Sequence, residues 1–317
     1  MSVTKAILVT GATGKQGGAV IRNIASHSSA SQFIPLAVTR NPDSGSAKSL
    51  VSKYPSIKLV KGDLNDVPAI FKSAQAVLEV EGKSPKIWGV YSVQTAMGPG
   101  TSSENEEAQG KALIDEALNH GVEHLVYSSV ERGGNEKSWT NPTPIPHFIT
   151  KHNIEQYLLE KAGAKGEKMG WTILRPVAFM DNIEPGFPGK VFLAAMRNVL
   201  KEKPVQWISV DDIGLFAGKA FRDPQKWNAR AEGLAGDDLS VDEISKAFKE
   251  VLGYPAGIAY GFLGTALLYA MKEMRLMIEW FKTDGYGVNI KKLREEEPTL
   301  ADFKTWLAER SKFEKKA

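Results

Sequence analysis

Residues 9–18 read VTGATGKQGG, a glycine-rich stretch that follows a short apolar run at residues 6–9. Gly11, Gly14 and Gly17 recur at three-residue spacing. Glycines spaced in this way let the chain turn tightly and let its backbone approach a pyrophosphate closely. A helix that begins after the loop would direct unpaired N–H groups at the phosphates. The pattern predicts a nucleotide-binding turn, against the alternative of a glycine-rich turn without a ligand.

Short apolar runs and longer helical patterns alternate in the first half of the chain. The apolar runs occur at residues 6–9, 33–39, 57–60, 87–93, 123–128 and 171–174, and the helical patterns at 16–26, 106–120 and 153–162. Such alternation predicts a parallel sheet with helices on both faces. The expected fold class is therefore α/β, a doubly wound parallel sheet with a smaller mixed C-terminal region.

This alternation stops after residue 182. We therefore expect a dinucleotide-binding core over residues 1–182 and a smaller substrate- or partner-binding region over residues 183–317, which partly returns to the core. Residues 181–190 carry prolines, glycines and acids typical of a surface loop. Residues 256–271 are uncharged, but a membrane span needs about 20 apolar residues. Apolar positions continue at helical spacing beyond Lys272, so we expect a half-buried helix and no membrane span.

The composition is that of an ordinary soluble protein of 317 residues, 42% hydrophobic and 24% charged. The length favours about two domains. The formal net charge of +3 is too small for a protein that mainly grips phosphate backbones, so we expect no direct nucleic-acid binding. No cysteine is present, which excludes disulfides and thiolate metal sites. We expect no metal and a cytoplasmic protein, with the nucleus as a second location.

The end of the second strand indicates which dinucleotide is bound. Arg40 follows this strand, 23 residues after Gly17 (40 − 17). An NAD-binding turn usually carries Asp or Glu near this point to accept a hydrogen bond from the ribose 2′-hydroxyl. A guanidinium instead suits a 2′-phosphate, because it can donate two charge-assisted hydrogen bonds. Arg40, helped by Lys15, predicts NADP(H); the alternative is a solvated Arg40 with Asp43 supplying the acid.

Further candidates follow the carboxyl ends of other strands, where open α/β sheets bind their ligands. Asp63 and Leu64 either border the adenine or form an ordinary turn. Gln94 is expected beside the nicotinamide ribose. The candidates for a substrate pocket after the sixth strand are Phe179, Met180 and Asn182, with ordinary loop packing as the alternative.

The sequence resembles the short-chain dehydrogenase/reductase superfamily, and within it the atypical NmrA-like family. The resemblance rests on residues 10–17, Thr39-Arg40, Gly62-Asp63-Leu64, Leu174-Arg175-Pro176 and Val210-Asp-Asp-Ile213. It implies a Rossmann fold and an active site in which a tyrosine, a lysine four residues later and a serine act together. In this chain the matching segment is His147-Phe-Ile-Thr-Lys151, so histidine replaces the tyrosine, and Ser128 and Ser129 stand where the serine would be.

The resemblance implies His147, Lys151 and Ser129 as catalytic candidates. Together with the loop pattern, the cofactor-binding candidates are Gly11, Thr13, Gly14, Lys15, Gln16, Gly17, Arg40, Asp63, Leu64, Gln94 and Lys151. NmrA-like proteins are usually regarded as regulators that distinguish oxidised from reduced dinucleotide and signal through partner proteins.

We therefore expect an NADP(H)-binding redox sensor with a regulatory protein partner. The alternative is an NADPH-dependent reductase of a small carbonyl, quinone or enone, because imidazole can donate a proton near neutral pH. His147 could also be a plain helix-start residue, and Lys151 a solvated one. The sequence leaves the oligomeric state open.

Overall fold

The computed structural model describes residues 4–95 and 101–316. These residues form the strands β1 (Lys5–Val9), β2 (Phe33–Thr39), β3 (Lys58–Lys61), β4 (Ile87–Ser92), β5 (His124–Ser128), β6 (Gly170–Pro176), β7 (Ala178–Phe179), β8 (Val205–Ile208), β9 (Arg230–Leu234) and β10 (Asp237–Leu239). The α-helices are α1 (Lys15–Ser26), α2 (Gly45–Lys53), α3 (Val67–Val80), α4 (Ser103–Asn119), α5 (Pro146–Ala162), α6 (Phe187–Leu200), α7 (Val210–Arg222), α8 (Pro224–Trp227), α9 (Val241–Leu252), α10 (Gly261–Ala270), α11 (Lys272–Thr283), α12 (Ile290–Glu296) and α13 (Phe303–Glu309).

Seven strands form one sheet in the order β3-β2-β1-β4-β5-β6-β9. The pairs from β3 through to β6 are all parallel. The direction of winding reverses between β1 and β4, and such a switch point is where doubly wound sheets bind ligands. A second sheet has the order β10-β8-β7, with β8 antiparallel to β10 and parallel to β7. The predicted fold class, a doubly wound parallel sheet with a smaller mixed region, is confirmed.

The chain divides into two compact units whose segments interleave along the sequence. The first unit comprises Met1–Ser129, Thr150–Leu174 and Ile213–Glu232, and the second comprises Val130–Ile149, Arg175–Asp212 and Gly233–Ala317. The assignment of residues 1–182 to dinucleotide binding and of 183–317 to a substrate or partner stays a prediction.

The central strands are apolar because helices cover both faces of a parallel sheet. All six residues of β4 are buried, as are the last four of β1. In the first unit, α1 buries Gly17, Gly18, Ala19 and three larger apolar residues. The small residues at its start allow the helix to approach the end of β1 closely.

Three helices of the first unit are missing from the sequence prediction: α2, α3 and the four-residue α8. Helix α2 buries only Ala47 and therefore has no apolar period to detect. Helix α3 is preceded by Asp66, whose side chain accepts the N–H of Ala69, and carries a proline in its first turn. Both features are helix-start signals, so α3 could have been found.

Three boundaries differ most from the sequence prediction. Helix α5 begins at Pro146 rather than near residue 153, because proline is well accommodated in the first turn of a helix. The expected loop at residues 181–190 is only partly a loop, since α6 begins at Phe187. The uncharged stretch and its continuation form two helices, α10 and α11, separated at Met271.

Within residues 4–95 and 101–316, no helix combines the length and the hydropathy needed to cross a bilayer.

A buried histidine lies on β5. His124 is 1% exposed, and its Nε2 lies 2.9 Å from the hydroxyl of Thr172 on β6. That hydroxyl donates its proton to the carbonyl oxygen of Trp227 at 2.7 Å. His124 must therefore donate from Nε2, as a neutral imidazole. Burial, with a smaller contribution from the charge of Lys5, lowers the pKa of His124 to about 4.

We expect acid to destabilise the fold partly through His124. The unfolded chain takes up this proton near pH 6.5 and the folded chain only near pH 4, so stability falls as the pH drops through that window. Between pH 7 and 4.5 the loss attributable to this group is about 2–3 kcal/mol. Urea unfolding of the parent and of His124→Gln over this range measures it. Parallel pH profiles for the two proteins would contradict the assignment.

Candidate functional site

The glycine loop is fixed to the end of β4 through Thr10. The Thr10 hydroxyl is fully buried and lies 3.0 Å from the carbonyl oxygen of Val93 and 3.1 Å from that of Tyr91. It also accepts the N–H of Val93 at 2.9 Å. The start of the loop is therefore held at the switch point between β1 and β4.

Two glycines of the loop are required by the structure itself. Gly11 has a φ of +60°, in the left-handed region that favours glycine. A Cβ on Gly17 would lie 2.4 Å from the carbonyl oxygen of Gly11 and 2.5 Å from that of Thr10. A Cβ on Gly14 would meet only the Gly11 oxygen, at 3.2 Å. Packing within the protein therefore requires glycine most strictly at position 17, whereas Gly14 is exposed.

The first turn of α1 has an uncapped end that suits an anion. Gly14 caps the helix without a side-chain hydrogen bond, and no acidic residue stands in the first turn. The first N–H groups of a helix have no partner within it and carry a positive partial charge. Thr13, Gly14 and Lys15 are exposed at this end, and Gln16 is half-buried.

Arg40 is exposed directly after β2, the neighbour of β1 in the sheet. The alternative acid, Asp43, lies 3.4 Å from the ammonium group of Lys48 in an exposed pair. Its N–H donates to the side chain of Asn41 at 3.0 Å. Arg40 thus places a cation at the strand end where a 2′-phosphate would be read, while the Asp43 carboxylate already has a partner.

Asp63 lies in a tight turn after β3. Its carboxylate accepts the N–H of Asn65 at 2.9 Å, and its carbonyl oxygen accepts the N–H of Asp66 at 2.9 Å. Both hydrogen bonds are those expected if Asp63 simply forms an ordinary turn. Leu64 is half-buried beside it. Contact of either residue with an adenine stays a prediction.

Gln94 follows β4 and is 6% exposed. Its amide nitrogen donates to the Ser92 hydroxyl at 2.9 Å. Its amide oxygen has no hydrogen-bond partner among the residues that the structure describes. A buried acceptor without a partner costs free energy, so this oxygen points to a ligand that supplies a donor.

Two buried hydroxyls meet Gln16 of the glycine loop. Ser128 donates to Gln16 Oε1 at 2.6 Å, and the Tyr91 hydroxyl donates to the same oxygen at 3.3 Å. Burial raises the pKa of Tyr91 well above its usual value, so this hydroxyl stays protonated. Ser129, the serine assigned to catalysis, is 3% exposed, and its N–H donates to the carbonyl oxygen of Leu174. Ser128, the neighbour of the serine assigned to catalysis, therefore bonds to the loop.

In the first unit, Lys151 is held by an acid that the sequence prediction misses. Its ammonium group donates to Glu106 Oε1 at 2.8 Å, and the Thr150 hydroxyl donates to Glu106 Oε2 at 2.5 Å. Glu106 is 1% exposed on α4. An acid in the first turn of a helix is expected from the dipole alone, so nothing in the sequence marks Glu106 as buried.

In the second unit, His147 is held by another acid without a sequence signal. Its Nδ1 lies 2.6 Å from Glu273 Oε1, and its backbone N–H donates to the same oxygen at 3.0 Å. Glu273 lies 126 residues further along the chain, on α11. The same carboxylate therefore caps the start of α5 and fixes the orientation of the imidazole.

The predicted pocket residues Phe179, Met180 and Asn182 differ in burial within the second unit. Met180 is fully buried and belongs to the apolar core of that unit. Phe179 is half-buried on β7, and Asn182 is exposed. Ordinary packing accounts for Met180, while a pocket role for Phe179 and Asn182 stays a prediction.

Comparisons with known proteins agree on one family. The family model described as the NmrA-like family matches residues 3–304. The chain is 26% identical to the NmrA-like family domain-containing oxidoreductase FrzB of Cladobotryum sp., covering 89% of this chain and 85% of the relative. It is also 26% identical to an NmrA-like family domain-containing protein of Dictyostelium discoideum, covering 91% and 90%.

Solved structures share the fold. The negative transcriptional regulator Nmra in complex with NADP matches with a TM-score of 0.65 and 18% identity, covering 98% of this chain and 96% of that one. The Citrobacter sp. triphenylmethane reductase complexed with NADP(H) matches with a TM-score of 0.66 and 17% identity, covering 96% and 99%. One fold thus serves both a regulator and a reductase.

We expect Gly14 and Gly17 of the loop to respond differently to alanine. Gly17→Ala places a Cβ against backbone oxygens and should cost about 3 kcal/mol of unfolding free energy. Gly14→Ala, the matched control, should cost less than about 1 kcal/mol, because its neighbour is at 3.2 Å and its φ of −91° suits alanine. Urea denaturation measures both. Equal losses would show that close packing at Gly17 is not required.

Proposed function

Because the chain belongs to the NmrA-like family, we propose that it binds NADP(H) and acts as a redox-sensing regulator. The observation that carries this proposal concerns the two candidates for proton transfer. His147 lies 2.6 Å from the Glu273 carboxylate and Lys151 lies 2.8 Å from the Glu106 carboxylate. No tyrosine stands at position 147 to donate a proton as hydride moves. Without that tyrosine, we infer that both side chains serve binding and packing rather than turnover.

Binding of NADP(H) is supported by three neighbouring features of the first unit. The glycine loop and the uncapped start of α1 suit a pyrophosphate. Arg40 suits a 2′-phosphate, and the relatives of known structure named above are complexed with NADP or NADP(H). The unpartnered oxygen of Gln94 suits a donor on the nicotinamide half of the molecule.

A sensor must bind the two redox forms differently. The oxidised nicotinamide ring carries a positive charge that the reduced ring lacks, so local charge sets the preference. The ammonium group of Lys151 is paired with the Glu106 carboxylate. The other charged and polar groups around the nicotinamide ring would then decide which redox form of the cofactor binds more tightly. Occupancy then follows the cellular ratio of NADP⁺ to NADPH, and a protein partner reads the occupied form.

A second candidate function is NADPH-dependent reduction of a small carbonyl, quinone or enone. The His147–Glu273 pair favours it, because a carboxylate that holds one ring nitrogen fixes the tautomer of an imidazole, as general acid–base catalysis requires. The relative from Cladobotryum sp. carries the name oxidoreductase. Under this function His147 would donate the proton.

We expect no NADPH oxidation by the parent protein against a broad panel of carbonyls and quinones, followed by absorbance at fixed cofactor. We expect calorimetry to give dissociation constants for NADP⁺ and NADPH that differ at least severalfold. Robust oxidation that is lost in both His147→Ala and Lys151→Ala, with cofactor affinity kept, would establish the reductase instead. Such a reaction should slow with rising pH as the donor loses its proton.

We expect Arg40→Ala to weaken NADP⁺ binding by roughly ten- to a hundredfold, since a charge-assisted contact of this kind contributes about 1.5–3 kcal/mol. NAD⁺ binding should stay within about twofold, because NAD⁺ lacks the 2′-phosphate. Lys53→Ala, an exposed cation of α2, is the control and should alter neither. Equal losses for both cofactors in Arg40→Ala would show that Arg40 does not read the 2′-phosphate.

A further inference from the structure

Gln16, Ser128 and Tyr91 form a hydrogen-bonded cluster beneath the glycine loop. Ser128 is 1% exposed and Tyr91 is fully buried, and both hydroxyls donate to the one oxygen of the Gln16 amide. Gln16 itself lies in the first turn of α1 and is half-buried. The cluster therefore connects the loop to the ends of β4 and β5.

The two hydroxyls set the orientation of the Gln16 amide. A buried hydroxyl needs an acceptor for its proton, and Gln16 Oε1 accepts from both Ser128 and Tyr91. If the amide were reversed, its NH₂ group would face both hydroxyls and leave their protons without this acceptor. The oxygen therefore points inward. Among the described residues, no hydrogen bond to Gln16 Nε2 is found, so its two N–H groups remain for a ligand.

On the premise that the glycine loop binds NADP(H), we propose that Gln16 donates its amide N–H groups to the pyrophosphate. Ser128 and Tyr91 are positioning residues that keep the amide in this donating orientation. A reversed amide would present its oxygen to the phosphates and repel them. Ser128, at the position that the resemblance links to proton chemistry, therefore governs cofactor affinity.

The neighbouring acceptor on Gln94 supports a ligand at this edge independently. Gln94 is more than nine-tenths buried, and its amide oxygen lacks a partner among the described residues. Its amide nitrogen donates to the Ser92 hydroxyl, so the atom left for a ligand is its oxygen, whereas in Gln16 it is the nitrogen. Gln16 thus offers donors and Gln94 an acceptor, which matches a ligand with an anionic centre and a hydroxyl or amide donor.

The test is isothermal titration calorimetry with three probes at one salt concentration. NADP⁺ and 2′-phospho-ADP-ribose both contain the pyrophosphate, while adenosine 2′-monophosphate carries no phosphate at its 5′ position. For Ser128→Ala and for Tyr91→Phe we expect about fivefold weaker binding of the first two probes and less than about twofold change for the third. Ser128→Thr keeps a hydroxyl and should restore the affinity of the parent.

Two further variants separate positioning from folding. Gln16→Glu still accepts from both hydroxyls but loses its donors and adds a negative charge. It should keep its thermal midpoint and bind the pyrophosphate probes about a hundredfold more weakly. Thr172→Val is the matched control, because it removes another buried hydroxyl of the first unit and should lower stability without changing the affinity ratio between probes.

The outcomes distinguish this proposal from the proposed function. If the parent fails to bind NADP⁺, the proposed function and the positioning role fall together. If the parent binds NADP⁺ but Ser128→Ala binds all three probes as the parent does, only the positioning role is overturned. The same holds if Ser128→Ala weakens all three probes equally.

Discussion

The candidate site depends on the contact between the start of α1 and the end of β1, where Gly17 packs against the carbonyl oxygens of Thr10 and Gly11. Any side chain at Gly17 would occupy the same space as those oxygens. The contact holds the first turn of the helix at the switch point of the sheet, and Thr10 ties the loop to β4 from the other side. The uncapped start of α1, the Gln16 amide and the exposed Arg40 all take their places relative to this contact.

The sequence predicts this part of the molecule well because its signals are local. Glycine spacing, apolar strands and an arginine after the second strand are each readable within a few residues, and the doubly wound sheet follows from their alternation. The sequence prediction misses helix α2 because this helix buries one residue and therefore has no apolar period. It also misses helix α3, although Asp66 marks the start of that helix.

The sequence does not predict the hydrogen-bond partners of the site residues, for a different reason. Glu106 and Glu273 are ordinary helix acids in the sequence, and they matter only because the fold brings them to Lys151 and His147. The same holds for Ser128, which reaches Gln16 across 112 residues of chain. A motif gives the type of residue at a position, while the hydrogen bonds that fix its role join elements far apart in sequence. The sequence therefore identifies the lysine and the histidine but not the carboxylates that restrain them.

The interleaving of the two units has a consequence for synthesis. The first unit includes Ile213–Glu232, so it cannot be complete until residue 232 has left the ribosome. Its glycine loop is made more than 200 residues before the last strand of its sheet, β9. Until then β6 presents an open edge, and exposed strand edges pair readily with other chains. Folding during translation must therefore keep an unfinished sheet from associating while the segments of the second unit are made in between.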